Sequence, residues 1–233
     1  MNINQFQEET RKLGIQLNHT QFHQLEQYAN FLLEYNAHTN LTAIKSIEEV
    51  YLKHFYDSLT LSKIESFSNQ KILDIGTGAG FPGLVLAIVY PSLKVTLLDS
   101  NNKKTTFLNE CVRLLNLTNV EVVNSRAEEY TRVHREEFDI VTSRAVASLR
   151  ILLELNIPSL KVGGSFLAMK GNAKEELEES KNTLKKLSSR IEEQLEFELP
   201  LDAGHRTLLK IEKEESTSLM YPREYSKIKK KAL

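Results

Sequence analysis

Lys71-Ile72-Leu73-Asp74-Ile75-Gly76-Thr77-Gly78-Ala79-Gly80-Phe81-Pro82-Gly83 reads as a short buried strand, a glycine-rich turn and the start of a helix. Glycines in such a turn tolerate positive φ and let backbone approach a ligand closely. The helix expected after the turn, Gly80 to Val89, would present unpaired N–H groups toward that ligand. Asp99 lies nineteen residues beyond Gly80, at the end of the next apolar run, Val95-Thr96-Leu97-Leu98. An acidic residue there is suited to accept hydrogen bonds from a ribose diol. The pattern predicts a nucleoside-cofactor site on an α/β fold.

Two ligand readings compete for the loop. Gly78-x-Gly80-x-x-Gly83 meets the spacing of a dinucleotide fingerprint. Asp74-x-Gly76-x-Gly78-x-Gly80 meets another, with a carboxylate ahead of the glycines. A pyrophosphate would meet Asp74 as a like charge in a poorly solvated cleft, which is costly. A sulfonium cofactor, cationic at sulfur and ammonium, would be stabilised there. The carboxylate therefore favours the sulfonium reading over the dinucleotide and over glycines that serve only a tight turn.

From Lys71 onward short apolar segments alternate with helical ones. Strands are expected at Ile72–Ile75, Val95–Leu98, Val120–Val123, Phe138–Thr142 and Ser165–Met169, and helices at Gly80–Val89, Asn102–Leu115, Val146–Leu155 and Ala173–Leu187. That rhythm indicates a doubly wound, Rossmann-like sheet, mostly parallel. Lys161-Val162-Gly163-Gly164 is expected to turn tightly into the fifth strand. Glu193–Leu199 and Thr207–Ile211 should follow as a hairpin that brings an antiparallel strand to the sheet edge.

The first seventy residues lack strand alternation. Phe22, Leu25, Tyr28, Ala29 and Leu32 recur at helical spacing, Asn40-Leu41-Thr42 interrupts as a turn, and Ser46 followed by Glu49 resembles a capped helix start. The division expected is a helical appendage over residues 1–66, a cofactor-binding domain over 67–220 and a basic tail over 221–233. In that tail Arg223, Lys227, Lys229, Lys230 and Lys231 face one acid, Glu224. Such a tail contacts phosphates through charge without reading sequence, or is a solvated terminus.

At 233 residues and net charge −1 the chain buries a full core and is not, as a whole, an electrostatic magnet for nucleic acid. Its single cysteine, Cys111, excludes an internal disulfide and reads as a buried, inert thiol. No zinc spacing or internal repeat emerges, no metal is expected, and the absence of a leader pattern or membrane-length run predicts a cytosolic protein without membrane contact. A monomer is the default.

Loops after the parallel strands should converge on one crevice. They supply Asp74 with Gly76, Gly78 and Gly80; Asp99; Ala127 and Glu128 beside a flat base; and Arg144, whose fork suits a carboxylate or phosphate, the alternative being a salt-bridging surface residue. Lys170 adds charge to the same rim, and Arg206 is a candidate for substrate phosphate. His54 and Asp57 sit three apart on one helical face, placed for a substrate channel, a cap or a hydrogen bond between domains. No serine or cysteine nucleophile with matched partners is evident, which fits transfer driven by a reactive cofactor.

The chain resembles the RsmG family, also called GidB, of bacterial small-subunit ribosomal RNA methyltransferases. The matching pieces are Asn40-Leu41-Thr42-Ala43-Ile44, His54 with Asp57-Ser58-Leu59, the Asp74–Gly83 loop, Leu97-Leu98-Asp99-Ser100, Ser125-Arg126-Ala127-Glu128, Val141-Thr142-Ser143-Arg144-Ala145-Val146-Ala147, Lys170-Gly171 and Tyr221-Pro222-Arg223. The resemblance implies methyl transfer from S-adenosylmethionine to N7 of a guanosine in the 530 loop of 16S ribosomal RNA, presented as RNA, an assembly intermediate or the 30S subunit. It implies cofactor contacts at Gly76, Phe81, Ala127, Glu128 and Arg144, a ribose-side acid at Asp99, and an RNA-facing surface at Lys170, Arg206 and Arg223. The tail departs from the family's proline- and glycine-containing pattern, running Glu224-Tyr225-Ser226-Lys227-Ile228-Lys229-Lys230-Lys231. Methyl transfer to a small molecule, and a non-catalytic RNA-binding module, are the competing functions.

Overall fold

A computed structural model describes residues 1–144 and 147–233. Seven strands form one sheet: β1 (Lys71–Ile75), β2 (Lys94–Asp99), β3 (Val120–Asn124), β4 (Phe138–Arg144), β5 (Leu160–Lys170), β6 (Ser189–Glu198) and β7 (His205–Lys213). Their order is β3-β2-β1-β4-β5-β7-β6. The first five run parallel, and β7 enters antiparallel between β5 and the edge strand β6. The doubly wound, mostly parallel fold expected from the alternating segments is present.

Helices α1 (Ile3–Lys12) and α2 (His19–Thr39) begin at Asn2 and Asn18, each in a reciprocal capping box with the glutamine three residues on. The helical stretch that follows is composite. It passes from α3 (Ile47–Glu49), capped by Ser46, through a π-helical stretch, Val50–Tyr56, to α4 (Asp57–Leu59) and a 3-10 turn, Thr60–Lys63. Then come α5 (Gly83–Val89), α6 (Asn102–Leu114), α7 (Ala127–Val133), α8 (Leu149–Asn156), α9 (Lys174–Lys186) and α10 (Tyr225–Lys230). The Val146 start expected for the fourth helix lies outside the described residues.

Period-two alternation sorts the strand side chains between two cores. Ile72, Val95, Leu97 and Ile140 join α5, α6 and the N-terminal helices, whereas Leu73, Ile75, Leu98 and Val141 join α8 and α9. Phe6, Leu25, Tyr28, Tyr51 and Phe55 of the N-terminal helices are fully or almost fully buried in that first cluster. The helices thus share the sheet's core and have no separate one. Cys111 is buried there too, its thiol pushed up by burial.

Two expectations are corrected. Residues 161–164 are not a separate turn ahead of β5; they lie within its bounds as an irregularity bent at Gly163 (φ +79°), since Leu160 pairs with Phe138 but Ser165 already pairs with Ile140. The close approach of Gly164, where a Cβ would sit 2.9 Å from the Asp139 carbonyl, shows why glycine occupies it. The helix after the glycine loop starts at Gly83 and not Gly80, because Gly80, at φ +104°, and Phe81 first close a turn back to the Thr77 carbonyl.

Candidate functional site

The strand register decides what the first loop can bind. Asp74 lies one residue before the end of β1, on the face toward α5, and is fully buried. Its Oδ2 accepts from Thr77 Oγ1 at 2.7 Å and from the Gly83 N–H at 2.8 Å. The first N–H of α5 is therefore already bonded to a carboxylate, contrary to the expectation of open donors. A pyrophosphate is doubly disfavoured, by the charge and by the lost donor. Asp74 Oδ1 is buried with no partner among the described residues, an arrangement that suits a cation in the neighbouring crevice. Burial, only partly offset by the Thr77 and Gly83 bonds, pushes its carboxyl up to about 6.

Beyond the carboxyl ends of β1 to β4 opens a cavity of about 460 Å³. Gly76, Gly78, Phe81, Asp99, Ala127, Glu128 and Arg144 line it, as do Thr42, His54, Arg126 and Tyr225. Asp74 and Gly80 do not; they lie beneath the floor and fix the loop. Gly76 and Gly78 hold φ of +71° and +64°, and a Cβ on Gly78 would meet only the Gly76 carbonyl oxygen, at an ordinary contact distance of 4.0 Å. Asp99 accepts from the Gly78 N–H at 3.0 Å and the Asn101 N–H at 2.9 Å, which aims its carboxylate across the mouth with Lys104 Nζ 3.6 Å away.

At the other end the side chains form a layered wall. The Phe81 ring stacks on Tyr28 (centroids 5.4 Å) and on His54 (4.1 Å), while the Tyr28 hydroxyl donates to the Ala79 carbonyl. Arg144 lies over Phe81 at 5.2 Å and bonds the Lys53 carbonyl, Asp57 Oδ2 and His54 Nδ1, each at 3.0 Å. Arginine only donates, so His54 Nδ1 is an acceptor and the ring carries its proton on Nε2, given to Thr42 Oγ1 at 3.0 Å. Burial first, and Arg144 second, hold the imidazole down at about 3, so it is neutral. Thr42 is itself fixed by Asn36, which bonds both its N–H and its carbonyl at 2.9 Å.

Behind this wall is a second cavity, about 480 Å³, sharing His54 and Arg144 with the first and lined also by Lys53, Asp57, Met169, Lys170, Glu176 and Arg206. Arg206 Nε donates to Asp57 Oδ1 at 2.8 Å, making an Arg144–Asp57–Arg206 triad in which the carboxylate is buried and both guanidiniums are half-buried. Lys170 bonds the Ala147 carbonyl and Glu176, both at 2.8 Å. Arg223 joins neither cavity; it forks onto the fully buried Glu154. Tyr225 had no signal in the sequence as a lining residue, whereas Arg126 lies in the loop after the third strand that the sequence brings to the crevice but was not itself singled out. Among the described residues no group of three or more acidic, histidine or cysteine side chains is placed to hold a metal, and no helix is long and apolar enough to cross a membrane.

Comparison with known proteins gives this geometry its relatives. Solved structures with the same fold include M. jannaschii TYW2 in complex with AdoMet (TM-score 0.54, 18% identity, 64% of this chain and 71% of that one). Another is a SAM dependent methyltransferase from Aquifex aeolicus (TM-score 0.54, 18% identity, 74% and 97%). Curated proteins named ribosomal RNA small subunit methyltransferase G are much nearer. That of Acetivibrio thermocellus is 46% identical over 94% of this chain and 92% of its own length, and that of Staphylococcus epidermidis 46% over 96% and 95%. The GidB family model, rRNA small subunit methyltransferase G, matches residues 21–200. The chain belongs to the GidB family of rRNA small subunit methyltransferases.

Proposed function

We propose that the protein transfers a methyl group from S-adenosylmethionine to N7 of a guanosine in the 530 loop of 16S ribosomal RNA. The observation that carries this reading is the pair of adjoining cavities with His54 and Arg144 in their common wall and Phe81 stacked against both on the side of the first. Asp99 and the Gly76–Gly78 backbone would hold the ribose and amino-acid portions in the first cavity, with Ala127 and Glu128 toward the base and the Asp74 carboxylate favouring the cationic end. The bound cofactor supplies an electrophilic methyl; the protein's part is to align and to exclude water.

The chemistry of the wall agrees with a nucleophile that needs no deprotonation. His54 has both ring nitrogens engaged, and Asp57 has both oxygens on arginines. His54 has no free lone pair and the Asp57 carboxylate is held between two guanidiniums, which weakens it as a base, whereas guanine N7 offers its own pair at neutral pH. Glu176, its Oε2 held by Lys170 and the Leu149 N–H, brings a carboxylate to the second cavity, suited to the N1–H and amino edge of guanine. The cations Lys53, Lys170 and Arg206 around the same cavity suit a nucleotide's phosphates better than a small neutral acceptor.

The decisive experiment incubates the full chain with methyl-labelled S-adenosylmethionine and 30S subunits from a strain lacking this modification, then maps the label. Label at a guanine N7 in the 530 loop is expected. Label on another nucleotide would refute the target; a protein that binds the cofactor yet labels neither 30S subunits nor protein-free 16S RNA would refute the reading.

A further inference from the structure

The last residues do not form a frayed tail. After β7 the chain returns across α7 and α8 and is pinned in succession. Arg135 donates to the Thr217 carbonyl at 2.6 Å and the Tyr221 carbonyl at 2.5 Å, and Arg132 to the Pro222 carbonyl at 3.0 Å. Arg223 then latches onto Glu154 of α8 through its own N–H (3.0 Å), Nε (2.7 Å) and Nη2 (2.6 Å). Ile228 is buried, and Thr183 of α9 donates to the Leu233 carbonyl at 2.7 Å. Residues 217–233 are a strap.

The strap delivers one aromatic side chain to the cofactor cavity. Tyr225, two residues beyond the latch and the first of α10, lies in the lining, with the Arg126 guanidinium 4.9 Å from its ring centroid. Arg126 caps α7 immediately after β3, so this pair stands at the β3 end of the cavity, beyond Asp99 of β2. Strands stand about 4.8 Å apart, so β3 and β4 are roughly 14 Å apart across the sheet, room for an extended nucleoside. With ribose at Asp99 and the reacting end at the Arg144 wall, the base must lie at the Arg126 end. A flat purine there meets a tyrosine ring already oriented by a guanidinium, the pairing that stacks well on bases.

We infer that Tyr225 is a cofactor-binding residue that closes the adenine end of the cavity, and that the Arg223–Glu154 latch holds it in place. This rests on the reading that S-adenosylmethionine occupies the cavity. The strap would then be a wall of the site in a tail whose sequence departs from the family pattern, and its lysines, Lys227 and Lys229 to Lys231, extend from that wall as a basic edge.

Calorimetric titration of the full chain with S-adenosylmethionine and S-adenosylhomocysteine tests it, using wild type, Tyr225→Ala, Tyr225→Phe and Gly78→Asp. Gly78→Asp should abolish binding. Tyr225→Ala should raise Kd about ten-fold, the scale of one base–aromatic stack, with Tyr225→Phe within about two-fold of wild type because the ring face remains. Unchanged binding by Gly78→Asp would overturn the cavity reading and the inference with it. Loss in Gly78→Asp with no change in Tyr225→Ala would overturn the inference alone. Tyr225→Phe binding as weakly as Tyr225→Ala would overturn the stacking role. Trypsin cleavage at Lys227–Lys231 in wild type supplies a readout independent of variants: S-adenosylhomocysteine should slow it, and free methionine, which lacks the base, should not. Equal cleavage with and without S-adenosylhomocysteine would overturn the inference.

Discussion

Two buried titratable residues set opposite pH dependences. The Asp74 carboxyl, raised by burial to about 6 from an ordinary 3.8, favours its protonated form in the fold. Its contribution is complete below about pH 4 and is lost as pH rises through about 6, a difference of about 3 kcal/mol by pH 7. Asp74→Asn, which keeps an acceptor oxygen for Thr77 and Gly83, should gain on wild type over that window in urea unfolding; parallel stability curves would refute it. A cation in the cavity favours the ionised carboxylate. S-adenosylmethionine affinity should therefore rise between about pH 5 and 7 in wild type and stay flat in the variant. His54 works in the other sense. Held down to about 3, it supports the fold above its ordinary 6.5 and withdraws that support as pH falls toward 3. At pH 5 the loss amounts to about 2 kcal/mol, and His54→Gln should be correspondingly less sensitive to acid in the same unfolding experiment.

At the scale of the element, the glycine loop separates positions that shape the fold from one that faces the ligand. A Cβ on Gly80 would sit 2.6 Å from the Tyr28 hydroxyl and 2.9 Å from Leu84 Cβ, at φ +104°. Gly80→Ala should cost about 2–4 kcal/mol through strain and overpacking, read as a lower midpoint in denaturant. Gly78→Ala meets no clash at φ +64°, only the Gly76 carbonyl oxygen at 4.0 Å, so about 1 kcal/mol of backbone strain is expected and the main loss should appear in cofactor affinity. The sequence distinguished neither role, since the pattern gives spacing while only the packing of α2 against the loop gives surroundings. Asp99, at the end of an apolar run, was legible from position alone. The π-helical stretch Val50–Tyr56, whose Lys53 carbonyl accepts from Arg144, had no sequence signal because all its side chains but Lys53 are buried and such a run carries no clear period.

Across the whole molecule, Asp57 joins elements that are far apart in the chain: Arg144 of β4 is eighty-seven residues away and Arg206 of β7 one hundred and forty-nine. Asp57→Asn leaves two half-buried guanidiniums without their carboxylate and should destabilise by about 2 kcal/mol. It should also loosen the wall between the cavities, so kcat should fall with the loss of alignment as well as stability. RNA as the acceptor adds a prediction from long-range charge: kcat/KM for 30S subunits should drop steeply with salt while Kd for S-adenosylmethionine changes little. Equal insensitivity of both would favour a small-molecule acceptor.

The sequence by itself determined the doubly wound sheet, the loop with its carboxylate and the acid at the end of β2, because hydrophobic period, glycine spacing and strand ends are local properties of the chain. Sequence also placed Arg144 at a strand's carboxyl end. Only the tertiary structure decided which charges are available. Arg206 and Lys170 line the second cavity while bound to Asp57 and Glu176, and Arg223, which looked like part of a basic tail, neutralises the fully buried Glu154. Lys213, polar by type, is buried against Glu136 and the Leu160 carbonyl. The meeting of Tyr225 with Arg126, ninety-nine positions earlier, is likewise a product of the strap. Charge type is written in the residue, whereas its partner and its distance from water come from contacts between segments that the sequence keeps apart.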